Sequence, residues 1–136
     1  MPAGTRNADS IDRLRESLSA VDGIVAAYVF GSVARGTDKP ASDLDVGLLY
    51  DTAPQSTLEN RPFRLEAELG QQLERPVQLV VMNDAPVDLV HRILRDGILL
   101  FDKSPSRRIA FEVRSRNAYF DLLPILERYR RPRAAS

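Results

Sequence analysis

The 136-residue sequence contains no cysteine and a single histidine, His91. The first absence excludes a disulfide scaffold, a thiolate zinc site and a cysteine nucleophile together. The second excludes a His-rich metal cluster. Net charge is missing too. Nineteen Lys and Arg balance nineteen Asp and Glu, which argues against a general nucleic-acid binder and against a membrane-surface protein. No apolar run approaches the roughly 18 residues that span a bilayer. The opening MPAGTRNADS is polar, without the apolar core of a secretory signal. A soluble, cytoplasmic protein is expected, with no direct nucleic-acid contact.

What is present is a hydrophobic content of 43%, enough for a sizeable core. The length fits a single domain over 1–136. Charge is unevenly spread. Residues 1–103 hold 11 basic and 16 acidic side chains, whereas 104–136 hold 8 arginines against Glu112, Asp121 and Glu127. The arginine-rich tail is either a solvated helix face or a docking surface for an acidic partner or a polyphosphate.

Hydrophobic spacing sets out the elements. Ile11, Leu14, Leu18 and Val21 recur at helical period, predicting a helix over 9–21 that Asp22-Gly23 ends. Ile24 to Phe30 reads as a buried strand, followed by Gly31-Ser32 and a helical turn at 33–35. A loop over 37–42 leads to a second strand, 44–50. A surface helix is expected within 55–73, interrupted at Pro62, then a third strand over 77–82. Asp84 is placed to cap the next helix, which buries Val87, Val90 and Leu94 and closes at Gly97. A short strand at 98–101 follows. A helical segment over 104–133 comes last, kinked or restarted at Pro124. The fold class is therefore α/β: a small mixed sheet of about four strands with helices packed on it and a long C-terminal helix.

One segment carries chemistry. Asp43 and Asp45 stand two apart at the head of a strand, so the period of two puts both carboxylates on one sheet face, about 6.6 Å apart at Cα. Leu44, Val46 and Leu48 then point to the core. Two convergent carboxylates suit Mg²⁺, a hard ion that takes oxygen ligands and fills its other positions with water and substrate phosphate. Alone, Asp-x-Asp before a strand is a weak signal and reads as a solvated turn. Gly31-Ser32 strengthens the reading: a glycine ending a buried strand lets a phosphate approach with no Cβ in the way, and the free N–H groups of a helix start favour an anion. Arg35 either steadies a phosphate or lies on a loop, and Ser42 either fixes the geometry or caps a turn. His91 is read as a surface histidine. Tyr119, Phe120, Leu123, Ile125 and Leu126 are read as a packing stripe whose exposed members would meet a partner.

The segment GSVARGTDKPASDLDVGLL resembles the G-S-x10-D-x-D signature of the minimal nucleotidyltransferases of the DNA polymerase beta superfamily. VQLVVMNDAPVDLVHRILRDGILLF resembles the family's third strand, following helix and last strand, and RRIAFEVRSRNAYFDLLPILERYRR is similar to the C-terminal helix of MntA-type antitoxins. The resemblance implies the small nucleotidyltransferase fold and Mg²⁺-dependent transfer of AMP from ATP to a tyrosine of a partner, a HepT-like toxin ribonuclease with a HEPN domain. Asp43 and Asp45 would hold the metal. Gly31 and Ser32 would position the phosphates, with Arg35 and Ser42 beside them.

The sequence departs from the family at one point. The resemblance places a third carboxylate on the third strand, where this chain has Gln78. A neutral amide cannot serve as general base. Two further readings therefore stand beside the transferase: an antitoxin that masks its toxin by binding alone, and an enzyme that modifies a small molecule.

Overall fold

The computed structural model describes residues 3–37, 42–53 and 62–130. The chain forms α1 (Ala3–Ser19), β1 (Ile24–Phe30), α2 (Gly31–Arg35), β2 (Leu44–Tyr50), α3 (Phe63–Leu73), β3 (Val77–Val81), α4 (Val87–Asp96), β4 (Ile98–Asp102) and α5 (Pro105–Arg130). The strands make one sheet in the order β3-β2-β1-β4. β1 runs antiparallel to both β2 and β4, and β2 runs parallel to β3. The fold is the mixed four-stranded α/β sheet that the sequence predicts. Among the described residues no helix is long and apolar enough to cross a membrane.

β1 is paired on both edges and covered on both faces, which is why its sequence is a continuous apolar run. A register shift between Ile24 and Ala26 changes the phase of the strand. Ile24, Ala27 and Val29 face α1 and α3, whereas Val25, Ala26 and Tyr28 face α4 and α5. On the first face Leu14 and Leu18 of α1 and Leu69 and Leu73 of α3 meet Leu44, Val46 and Leu48 of β2. On the second, Val90 and Ile93 of α4 and Phe111 of α5 close over Tyr28, Leu49 and Met82. Gly47 lets α4 lie close to the sheet, since a Cβ there would come within 2.8 Å of Met82 Sδ and 3.2 Å of Ile93 Cγ2.

Several boundaries differ from the sequence reading. The first helix spans Ala3–Ser19 rather than 9–21: it begins before the apolar period, which marks only the face that packs, and it ends before Val21, ahead of the turn at Gly23 with φ +89°. The surface helix occupies Phe63–Leu73; residues 54–61 lie outside the described residues, as do 38–41 of the expected loop. Met82 leaves the third strand for a 3₁₀ turn, Met82–Asp84. Asp84 belongs to that turn and does not cap α4, whose N-cap is Pro86 without a side-chain bond. Asn83 does more there: its side chain accepts from the Tyr50 N–H at 2.9 Å and donates to the Tyr50 carbonyl at 2.9 Å, finishing the end of β2.

α5 runs through Pro124 without a restart. Its expected packing stripe is not core. Phe111 is its one buried residue, whereas Phe120 is 57% and Ile125 49% exposed. Its first half is held to the sheet by polar contacts instead. Glu112 accepts from the Tyr28 hydroxyl at 2.6 Å and from Arg108, which also pairs with Asp102. Burial and the Glu112 carboxylate push the Tyr28 hydroxyl well above its usual range.

Candidate active site

The site is assembled at the end of the sheet where β1 stops and β2 begins. Phe30 pairs with Asp45 across the two strands. Gly31 follows at φ +75°, a conformation that L side chains avoid. An added Cβ there would overlap the Asp45 carboxylate and stand 3.2 Å from its Cγ. The glycine thus lets the strand-to-helix turn close directly over Asp45. α2 then makes little more than one turn and ends at Gly36, left-handed at φ 72°, whose N–H returns to the carbonyls of Ser32 and Val33.

Asp43 lies just before β2 and is exposed; Asp45 is half-buried on the sheet face that carries α4. Leu44, Val46 and Leu48 are buried on the opposite face, as period-two alternation requires. Burial holds the Asp45 carboxyl above its ordinary range, the Asp43 charge adds to this, and the Arg35 guanidinium opposes it. Asp43, Asp45 and Arg35 therefore share one electrostatic neighbourhood. Ser42 is half-buried directly before them.

The head of β2 is fixed by the segment leading into β3. Leu44 N–H donates to the Pro76 carbonyl at 2.9 Å. Arg75, only 5% exposed, donates Nε and Nη2 to the Ser42 carbonyl at 3.2 and 3.0 Å. A buried guanidinium is costly unless hydrogen-bonded, and here one of its tasks is to hold the residue before Asp43. Sequence reasoning missed Arg75, because an arginine beside a proline reads as surface until burial is known.

Gln78 is exposed and sits in register with Asp45 on the neighbouring strand. Glu66, close to it in sequence, has one carboxylate oxygen engaged, Oε1 accepting from the Leu79 N–H at 2.9 Å. Among the described residues no group of three or more His, Cys, Asp or Glu gathers as a metal site. The acidic pair still suits a hard cation. Its donors are carboxylate oxygens, and a divalent ion would offset the burial and the Asp43 charge that hold the Asp45 carboxyl up. His91, read as a plain surface residue, stacks on Tyr119 with ring centroids 3.5 Å apart and planes 2° from parallel.

The sequence model of the family described as polymerase beta, nucleotidyltransferase matches residues 12–106. No curated protein matches the chain. Among solved structures, a toxin–antitoxin complex with AMP-PNP includes a chain that is 21% identical; the match covers 89% of this chain and 96% of that one, with a TM-score of 0.68. A complex of tri-AMPylated Shewanella oneidensis HEPN toxin with MNT antitoxin matches at 16% identity, covering 90% and 98%, with a TM-score of 0.67. A protein proposed to be a minimal nucleotidyltransferase is 33% identical, covering 72% and 95%, with a TM-score of 0.54.

Proposed function

Because the chain belongs to the polymerase beta nucleotidyltransferase family, we propose that it is an antitoxin that transfers AMP from ATP to a tyrosine of a HEPN ribonuclease toxin. The observation that carries the reading is the closure of the Gly31 turn over Asp45, with Asp43 two residues before it. That arrangement sets a backbone turn without a side chain beside two carboxylates, the pieces that hold a metal-bound phosphate chain. The choice of partner is supported by the fold neighbours, among them the toxin–antitoxin complex with AMP-PNP and the complex holding an AMPylated HEPN toxin.

In this reading Gly31 and Ser32 hold the β- and γ-phosphates, and Arg35 stands at the rim as a phosphate-side cation. Asp43 and Asp45 would hold Mg²⁺, which would supply electrostatic stabilisation of the negative charge that develops on the phosphate oxygens. The tyrosine oxygen attacks the α-phosphorus as the bond to the bridging oxygen breaks, and pyrophosphate leaves with the electron pair. The phenolic proton passes to water, since the neutral amide of Gln78 does not take it.

The test is to incubate the chain with the product of the adjacent reading frame, expected to be a HEPN protein, with ATP and Mg²⁺, and to weigh that product. A gain of one or more adenylyl masses, lost with Asp43→Asn and Asp45→Asn together, is expected. Gln78 in register with Asp45 favours a second reading, an antitoxin that silences the toxin by covering it. Silencing with no mass gain, equal with and without ATP, would establish that one instead. Modification of a small molecule with no effect on a HEPN protein would overturn both.

A further inference from the structure

α4 presents Asp88, His91, Arg92 and Arg95 at helical spacing along one side, and these line a cavity of about 310 Å³ together with Tyr119 and Arg130 of α5. A second cavity, of about 350 Å³, shares His91 and Arg95 and continues the cleft past Arg116. We propose that this α4–α5 cleft is an anion site for a small ligand carrying linked phosphate groups, a polyphosphate. The inference does not depend on the transferase reading, since neither aspartate of the candidate active site lines the cleft.

Charge is the first argument. Arg95 already has its counter-ion, donating Nε and Nη2 to Asp96 at 2.9 Å each. Glu112, at the far end of the cleft, is taken up by Arg108 and the Tyr28 hydroxyl. Among the described residues Arg92, Arg116 and Arg130 form no ion pair, and Asp88 is the remaining carboxylate of the lining. Two helices thus bring three guanidinium groups to one concavity against one acid. Like charges gathered in this way repel, and a cleft with low-dielectric walls focuses their field on whatever enters. A bound anion removes the repulsion.

The distribution of that charge selects the anion. Arg92 and Arg95 stand about 4.5 Å apart along the helix axis, and Arg116 and Arg130 reach the cleft from the other helix. The cationic groups are therefore spread along the cleft rather than aimed at one point. A chain of linked phosphates spreads its own charge in the same way, and a guanidinium fork matches two phosphate oxygens. His91 is held by its stack on Tyr119, so this wall is set before a ligand arrives. Apart from those two rings the first cavity offers no apolar wall to the side chains of an acidic peptide. The zero net charge of the chain argues against the extended track that a nucleic acid needs.

The single histidine of the chain lies in the cleft and reports on it. Its imidazole proton resonances are followed by NMR as inorganic tripolyphosphate is added to the full, untagged chain in EDTA, where no metal can join phosphate to Asp43 and Asp45. A saturable shift is expected, with an affinity that falls as salt is raised. Arg92→Gln with Arg116→Gln is expected to bind about tenfold more weakly, whereas Arg13→Gln with Arg64→Gln, which removes the same charge from α1 and α3, stays within about twofold of wild type. All four arginines are exposed, so both double variants keep the fold, which circular dichroism checks. An unmoved His91 resonance, or an equal loss in the two double variants, overturns the site. Tighter binding of a uridine oligonucleotide would assign the cleft to a nucleic-acid backbone, and equal binding of polyglutamate to an acidic peptide; either result overturns the polyphosphate. AMP transfer is read separately, so its failure and the failure of this site are told apart.

Discussion

Asp45 shows how one position serves two demands that oppose each other. Burial and the Asp43 charge hold its carboxyl above the ordinary value of 3.8. Such a group binds its proton more tightly in the folded chain than in the unfolded one. Its stabilising share is complete below the unfolded value and is lost as pH rises through the folded one. In metal-free buffer Asp45→Asn is therefore expected to melt above wild type at about pH 7, with the gap closing as pH falls toward about 4. Thermal melts at the two pH values check this, and a gap of the same size at both would mean that the raised Asp45 carboxyl is not the cause. Arg75 makes a complementary case. Arg75→Met keeps much of the side-chain volume but removes both bonds to the Ser42 carbonyl. It is expected to cost about 1–3 kcal/mol in urea unfolding and to weaken Mg·ATP binding through the displaced Asp43. Full ATP affinity in a destabilised variant would make Arg75 a structural residue alone.

At the scale of elements, the two ends of α2 look alike and differ in consequence. Gly31 and Gly36 both have positive φ, at +75° and +72°. An added Cβ at Gly36 meets nothing within 4 Å, whereas at Gly31 it overlaps Asp45. Gly36→Ala should therefore cost only the left-handed penalty, roughly 1–2 kcal/mol, and leave nucleotide binding unchanged. Gly31→Ala should cost more and abolish binding, because the carboxylate has to move. Urea melts and ATP titration of the pair separate the two effects. The Gly-Ser pair is legible in the sequence for this reason: its chemistry is local to one turn. The two-residue spacing of the aspartates is legible because strand alternation is strict. On α5 the stripe is divided: Tyr119, Leu123 and Leu126 are half-buried, and Phe120 and Ile125 are exposed. Spacing alone cannot tell an apolar stripe that meets the sheet from one that meets solvent.

For the whole molecule, the arginine-rich tail becomes a geometric statement. The second half of α5 holds no buried residue, with Ile125 49% and Tyr129 82% exposed, and Arg128 and Arg130 in its last turn. Arg131, which belongs to the same charge cluster in the sequence, lies outside the described residues. An exposed helix with apolar and cationic positions side by side fits an acidic face on the proposed toxin partner. Arg128→Glu with Arg130→Glu is expected to slow toxin association at low salt and to reduce its salt dependence, with ATP affinity unchanged. Stopped-flow mixing across a salt series measures this. Wild-type rates in the double variant would leave α5 as a solvated helix.

The sequence by itself determined the order of elements, the class of sheet and the Gly31-Ser32 and Asp43-x-Asp45 pieces of the candidate site, because each follows from periods of two or 3.6 and from glycine's backbone freedom. It also placed Gln78 on the third strand. Tertiary structure alone decided the rest. Pairing of β2 with β3 set Gln78 beside Asp45 and brought Arg75 onto the Ser42 carbonyl across 33 residues of chain. Packing of α4 and α5 over the same face made the His91–Tyr119 stack and the pocket beside it. These are contacts between segments far apart in the chain, and no local periodicity encodes which side chains will meet when two helices cross a sheet.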